Sequence, residues 1–305
     1  MAVIAITGAA GTLGRHLAPM LVARGDRVRA IDIMPIGELP GIDGMTLDIR
    51  DRDAIASALE GADALVHAAA WHGIHMREHP PGDFWDLNAS GTFNVYEAAR
   101  AAKINRAVLA STMGVYGESR RPGRDGRAVR VDETLPLLAG DIYGATKVLA
   151  EELAAYYDRA HGVRGVALRF GMFVPEPFAH TGIRYLYGGV DPDDVARAVL
   201  ASLQALETRP RGAFTGYNIM SALPYDDEDA ATLPQDPMTA VRRHWPDAPE
   251  LLAGADAAPW GPVNEWFPIA KAERELGWRP LGGFDTFLDE LRRGASAPRT
   301  ATAVE

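Results

Sequence analysis

Ala2-Val3-Ile4-Ala5-Ile6-Thr7-Gly8-Ala9-Ala10-Gly11-Thr12-Leu13-Gly14 carries the reading of the whole chain. Its opening run, Ala2 to Ile6, is apolar, the pattern of a short strand buried on both faces. Glycines then fall at Gly8, Gly11 and Gly14, and Leu13 to Arg24 follows as a helix with Leu13, Leu17, Met20 and Leu21 on one stripe. Gly25-Asp26 supplies a turn, and Val28 to Ile31 a second strand that closes on Asp32. Strand, glycine turn, helix and a second strand ending in an acid make the βαβ unit that binds a dinucleotide.

Each part has a physical reason. Glycine permits positive φ at the turn and lets backbone N–H groups approach a pyrophosphate. The start of the helix adds unpaired donors and a partial positive charge. A carboxylate at Asp32 accepts hydrogen bonds from both ribose hydroxyls and repels a 2′-phosphate, so NAD is expected rather than NADP.

The chain has 305 residues, 47% of them hydrophobic and 24% charged, the balance of an ordinary globular protein. A formal net charge of −10 argues against nucleic acid or an anionic membrane as partner. There is no cysteine, which excludes disulfides, thiolate catalysis and thiolate zinc sites and fits a cytoplasmic location. The N-terminus enters a strand without a charged segment and long apolar core, so no leader is expected, and no run reaches the ~18 apolar residues of a membrane span.

Met34 to Gly44 is a Pro/Gly-rich connection, and Met45 to Leu47 a short strand. Asp48-Ile49 closes it, either as the frame of an adenine ring or as a helix cap, and Asp51 to Leu59 is a helix. Ala64 to Ala70 reads as a buried strand that includes His67, and the small Ala68 and Ala69 leave room for a cofactor against the backbone. Trp71 to Gly82 is a loop with His72, His75 and His79. No acid or cysteine cluster accompanies them, so a metal is not expected; Trp71, His72, His75 and Met76 are read as the lining of a substrate pocket.

Phe84 to Ala102 is one long helix carrying Asn88, Gly91 and Thr92, and Arg106 to Ala110 is a strand ending in Ser111-Thr112. A polar loop runs from Glu118 to Arg130. Asp141 to His161 is a long helix capped by Asp141 and stopped near Gly162. Arg164 to Phe170 and Tyr217 to Met220 are further strands, separated by a helix at Asp191 to Leu206. Beyond Ser221 short helical patches fall at Met238 to His244, Ile269 to Leu276 and Phe284 to Leu291, with a loose tail at Ala295 to Glu305. Trp245, Trp260, Trp266 and Trp278 are read as core rather than as sugar-stacking rings.

This alternation predicts an α/β fold, a Rossmann-type doubly wound parallel sheet of about seven strands with a small C-terminal substrate lobe. Residues 1–174, continued by 189–220, are assigned to the NAD-binding part. Residues 175–188 and 221–305 are assigned to the lobe and tail.

Tyr143 and Lys147 are i and i+4 on one helix and share a face. A free phenol has pKa ~10, too high for a base near neutrality. A lysine ammonium one turn away favours the phenolate, as does an oxidised nicotinamide. Thr112, at the end of a strand, can donate a hydrogen bond to a substrate oxygen. Tyr143 is therefore expected to take the proton of an alcohol, with Lys147 also holding the ribose. A non-catalytic NAD sensor on the same fold would be expected to lack the tyrosine or the lysine.

On these pieces the sequence resembles the extended short-chain dehydrogenase/reductase group, the NAD-dependent epimerase/dehydratase family. The matching residues are the Thr7 to Gly14 turn, Asp32, Asp48-Ile49, His67 to Ala70, Asn88 to Thr92, Ser111-Thr112, Val115 to Gly117, Tyr143 to Lys147 and Val190 to Ala196. The resemblance implies bound NAD, a triad at Thr112, Tyr143 and Lys147, and a homodimer formed through two long helices of each subunit. It assigns Gly8, Gly11, Thr12, Leu13, Gly14, Asp32, Asp48, Ile49, His67, Ala68, Ala69, Asn88, Tyr143 and Lys147 to the cofactor. His72, His75, Thr112, Met113 and Arg184 are assigned to a small sugar-like substrate.

Departures narrow the reaction. Sugar-nucleotide dehydratases of the family follow the threonine with Asp-Glu, whereas Met113-Gly114 stands here. Its 3,5-epimerases use a cysteine, and this chain has none. Dehydrogenation of a sugar or sugar acid remains, with 4-epimerisation as the alternative. The segment from Arg169 to Pro177, with Arg184-Tyr185, resembles the uronate dehydrogenase branch, in which an arginine at the position of Arg184 contacts a sugar-acid carboxylate. Without that role Arg184 reads as a surface arginine.

Overall fold

A computed structural model of the chain describes residues 1–37 and 39–294; the tail expected at Ala295 to Glu305 lies outside the described residues. β1 (Val3–Thr7), α1 (Thr12–Ala23) and β2 (Arg27–Asp32) form the opening unit where the apolar spacing places it. The chain continues through β3 (Ile42–Thr46), α2 (Arg52–Leu59), β4 (Ala64–His67), α3 (Pro81–Phe84), α4 (Thr92–Ala101), β5 (Arg106–Thr112) and the short β6 (Val129–Arg130). It goes on to α5 (Ile142–His161), β7 (Arg164–Phe170), α6 (Phe178–Arg184), α7 (Pro192–Ala205), β8 (Thr215–Ile219) and, among short helices, β9 (Glu265–Trp266).

Seven strands form one parallel sheet in the order β3-β2-β1-β4-β5-β7-β8. The order reverses between β1 and β4, and the carboxyl ends of the strands part there, which is where doubly wound sheets open a crevice. Helices cover both faces. Ile4 and Ile6 pack with Leu17 of α1 and Val199 of α7, while Ala5 packs on the other face with Ile55 of α2, Val95 of α4 and Ala154 of α5. Burial on both sides explains why the strands read as unbroken apolar runs. A separate buried cluster includes Leu186, Trp245, Val263, Trp266, Phe284 and Phe287.

Four local features depart from the sequence reading. β3 is longer than Met45 to Leu47, because Ile42 to Thr46 pair in register with Val28 to Asp32 and this ladder recruits part of the Pro/Gly-rich connection. β4 ends at His67, where the backbone turns away toward the loop. The polar loop before Arg130 is anchored by β6, which pairs in parallel with β9. The helix expected over Phe84 to Ala102 is interrupted by a π-helical stretch at Trp85–Gly91. Asn88 and Gly91, both in that stretch, make close approaches to neighbouring segments, a setting in which wide turns recur.

Candidate active site

The glycine turn is built by close contacts. Gly8 has φ +73°, and a Cβ there would lie 2.6 Å from the amide nitrogen of Ala69, so only glycine lets the β1 and β4 turns touch. At Gly14 a Cβ would lie 2.2 Å from the Ala9 carbonyl oxygen, so the helix start packs directly on the loop. Gly11 is exposed, with nothing closer to its missing side chain than the Gly8 oxygen at 3.3 Å, and leaves the backbone of the turn open. No side chain caps α1, so the first donors of the helix, from Thr12 and Leu13, stand at an open turn. Leu13 itself sends its side chain into the core.

Asp32 stands at the rim of this turn. Its carboxylate accepts from Ala10 N at 3.0 Å and from Met34 N at 2.9 Å. Ala68 and Ala69 are half-buried and form the floor across the crevice. An open glycine backbone, an uncapped helix start and a carboxylate on the next strand fit the pyrophosphate and ribose of a dinucleotide.

His67 lies beneath the floor. Its ring is buried between Thr7 Oγ1, 2.7 Å from Nδ1, and Thr92 Oγ1, 2.8 Å from Nε2. Thr92 donates to the Asn88 carbonyl, so the chain of bonds assigns the ring proton to Nε2 and leaves Nδ1 to accept from Thr7. Burial, with the charge of Lys147, pushes this histidine down to about 3 and keeps it neutral. It ties β1, β4 and α4 together under the site.

Asn88 performs a second such task. Its side chain accepts from Trp71 N at 2.8 Å and donates to Trp71 O at 3.0 Å, and it reaches Thr146 of α5 at 3.1 Å. The loop after β4 is thereby held against α5. Asp48 accepts the Arg50 guanidinium and the Arg50 amide, and it does not cap α2, a role that falls to Asp51 through Ala54 N. The paired guanidinium holds its carboxyl below the usual range. Ile49 is buried and packs against Gly91.

Thr112, Tyr143 and Lys147 come together at the end of β5. Asp141 caps α5 through Gly144 N at 2.7 Å, and Gly162, at φ +76°, ends it, as the sequence indicates. Tyr143 and Thr112 lie side by side, since a Cβ on Gly114 would lie 3.4 Å from Thr112 Oγ1 and 3.9 Å from Tyr143 Cε1, and Thr112 accepts from Gly114 N at 3.1 Å. Burial pushes the Tyr143 phenol up to about 12, against the effect of Thr112. The Lys147 ammonium donates to Ala110 O at 2.8 Å; burial pushes it down to about 8, opposed by Glu151.

The loop after β4 faces this group. The ring centroid of His72 is 6.2 Å from that of Tyr143, and a Cβ on Gly73 would lie 3.3 Å from the Tyr143 ring. His75 accepts from His72 N, and His79 stacks on Trp71 at 3.9 Å, so these two organise the loop from within. No group of three or more His, Cys, Asp or Glu side chains gathers as a metal site among the described residues. No helix among them is long and apolar enough to cross a membrane.

Arg184 lies one shell further out. A Cβ at Gly188 would lie 3.5 Å from Met113 Sδ, and one at Gly189 would meet Arg184 Cγ at 2.6 Å, so short steps link Arg184 to the residue after Thr112. It is no free surface arginine. Glu176 takes its Nη2 at 2.6 Å and Nε at 3.0 Å, and Trp260 covers the guanidinium at 4.2 Å. Of the four tryptophans expected in the core, Trp245, Trp266 and Trp278 are buried, whereas Trp260 is exposed and stacked on Tyr187.

Sequence reasoning missed Glu151, and with it the group that Ser111 and Arg169 form around that carboxylate. Glu151 accepts from Ser111 Oγ at 2.6 Å and pairs with Arg169 at 2.8 Å, all three being buried. The available signal was spacing, since Glu151 follows Lys147 by one more helical turn on the face of Tyr143.

The chain is similar to several known proteins. An L-arabinose 1-dehydrogenase (NAD(P)(+)) of Haloferax volcanii is 40% identical over 185 residues, 56% of this chain and 67% of that protein. A uronate dehydrogenase of Pseudomonas putida is 30% identical over 199 residues, 64% of this chain and 68% of that protein. The crystal structure of a UDP-galactose 4-epimerase matches 96% of this chain and 98% of its own, with a TM-score of 0.70 at 23% identity, a likeness of fold. The sequence pattern of the NAD dependent epimerase/dehydratase family matches residues 4–180. That match takes in the glycine turn, Asp32 and the Thr112, Tyr143 and Lys147 group, and the chain belongs to the NAD-dependent epimerase/dehydratase family of enzymes.

Proposed function

We propose that this chain is an NAD-dependent dehydrogenase that oxidises a carbinol of a small sugar, with Tyr143 as the general base. The observation that carries the reading is the meeting of Thr112, Tyr143 and Lys147 beside the open glycine turn. NAD, when bound, supplies the hydride acceptor. Gly8, Gly11 and the start of α1 hold its pyrophosphate, and Asp32 its ribose. Thr112 donates to the substrate oxygen and orients the carbinol. Tyr143 accepts the alcohol proton, and the Lys147 ammonium on the same helix face stabilises the phenolate. His72 and Met113 border the sugar.

The relatives named for arabinose and for uronates support a sugar substrate. The Arg184 and Glu176 pair favours an uncharged sugar over a sugar acid, because an incoming carboxylate would have to displace one already in place. A 4-epimerase would use the same groups, and the Met113 to Gly117 run after Thr112, which resembles that of the family's epimerases, supports that second reading. Phe93, Leu149 and Tyr156, exposed on α4 and α5, support a homodimer through these helices, and the lack of cysteine a cytoplasmic setting.

The test is a panel of aldoses, uronic acids and nucleotide sugars scored for NADH formation and for epimer product. Stoichiometric NADH with an aldose supports dehydrogenation; product without NADH replaces it by epimerisation. Tyr143→Phe is expected to lower kcat by about 10²–10⁴ while NAD still binds. Full turnover in that variant removes Tyr143 from the mechanism.

A further inference from the structure

Three successive residues at the end of β5 each hold one of three side chains stacked along α5. Ala110 O accepts from Lys147 at 2.8 Å, Ser111 Oγ donates to Glu151 Oε1 at 2.6 Å, and Thr112 lies beside Tyr143 at Gly114. The helix residues stand at i, i+4 and i+8, so one face of α5 is fastened to one strand end at three levels. The contacts of Tyr143 and Lys147 belong to the reaction. That of Glu151 continues inward.

Glu151 accepts from Arg169 Nε at 3.1 Å and Nη2 at 2.8 Å, and Arg169 lies directly opposite Ser111 in the β5–β7 ladder. Arg169 Nη1 donates to the Tyr116 hydroxyl at 3.0 Å, and that hydroxyl donates to Asn218 Oδ1 at 2.7 Å. Asn218 donates in turn to the carbonyls of Val131 and Pro268. Ser111, Tyr116, Glu151, Arg169 and Asn218 are all buried. A Cβ on Gly216 would lie 2.6 Å from the guanidinium carbon, so glycine there makes room for the arginine. A buried ion pair is poor evidence of stabilisation, since apolar residues of similar volume serve a core as well. Its place directly behind the reacting pair calls for another account.

We propose that Glu151 is a positioning residue for the reaction, locking α5 in register on β5 and presenting the counter-charge that faces the Lys147 ammonium. This rests on the reading of Tyr143 and Lys147 as the reacting pair. The titratable and charged groups around Lys147 are His67 of β4, His72 of the following loop, Tyr143 and Glu151 of α5, and Arg169 of β7 behind Glu151. His67 is neutral in its buried network, and the guanidinium is engaged by Glu151 itself. Glu151 opposes the effect of burial on the lysine. Without it the ammonium loses its proton at lower pH and stops stabilising the phenolate.

The experiment measures kcat, KM for NAD and the alkaline limb of the kcat–pH profile in Glu151→Gln and in the apolar pair Glu151→Leu with Arg169→Met. The pair leaves no unpartnered charge and guards against simple failure to fold. A fall in kcat of about tenfold or more, KM for NAD within about twofold, and an alkaline limb displaced to lower pH support the proposal. Unchanged kcat and an unmoved limb in folded variants overturn it, whatever happens to Tm. Should neither fold, Ser111→Ala decides, because it keeps the ion pair and releases only the strand. A kcat lower by about fivefold at native Tm then supports the proposal, and full kcat overturns it. Full activity in Tyr143→Phe would instead strike the underlying reading, and the two failures are distinct.

Discussion

The Lys147 ammonium donates to the main-chain oxygen of Ala110 at 2.8 Å from a nearly sealed position. Burial lowers it from its ordinary 10.5 to about 8, so between those values the unfolded chain binds a proton that the folded chain does not. Stability contributed by this residue therefore rises as pH rises through that window. Relative to Lys147→Met, which lacks the titration, the wild-type protein is expected to gain about 3 kcal/mol between neutral pH and pH 10.5. Denaturant unfolding of both proteins across that range checks it, and a constant difference would contradict the burial argument.

His67 carries the same sign into the acid range. Its folded value of about 3 lies below the usual 6.5, so its contribution is complete above pH 6.5 and is lost as pH falls toward 3. Stability should drop by about 1.4 kcal/mol per pH unit from this residue within that window. His67→Gln is expected to be less stable at neutral pH by about 1–3 kcal/mol and to show a shallower acid slope. Equal slopes for the two proteins would refute the assignment.

Asp32 is fixed by two backbone amides at the rim of the glycine turn, where a 2′-phosphate would meet its charge. Asp32→Ser is expected to narrow the preference for NAD over NADP by about tenfold or more, mostly through better use of NADP. Matched kcat/KM measurements with the two cofactors decide; an unaltered ratio places the discriminating group elsewhere.

Glu176 neutralises Arg184 in a two-point fork under Trp260. Glu176→Gln frees a full positive charge for an anionic ligand. The ratio of kcat/KM for a uronic acid to that for its neutral aldose is expected to rise by about tenfold. A ratio that stays put would show that Arg184 does not face the sugar.

The nucleotide half of the molecule was legible because its demands are local. A glycine that must touch Ala69, a helix start and an acid closing β2 follow one another within a few turns of chain, and so did Tyr143 and Lys147 on one helix. What escaped notice depends on partners distant in sequence. β6 exists only because Glu265 and Trp266 arrive beside it, and the extension of β3 only because β2 offers a ladder. His67 and Ile49 fall within matching motifs, yet their side chains serve the interior: histidine types and apolar types do not announce which way they point. The Ser111, Glu151 and Arg169 group spans two strands and a helix, and only the i+8 spacing of Glu151 was visible in advance.

The broadened helical stretch at Trp85–Gly91 also limits how the enzyme can be altered. Deleting one residue between Asn88 and Thr92 would allow ordinary α geometry, yet it would swing every side chain before the deletion by about 100° against those after it. Asn88 and Thr92, which grip the Trp71 loop and His67 respectively, could not then both keep their partners. Loop grafts that exchange the segment after β4 should therefore carry residues 71–92 as one cassette, because the anchor travels with the loop it anchors.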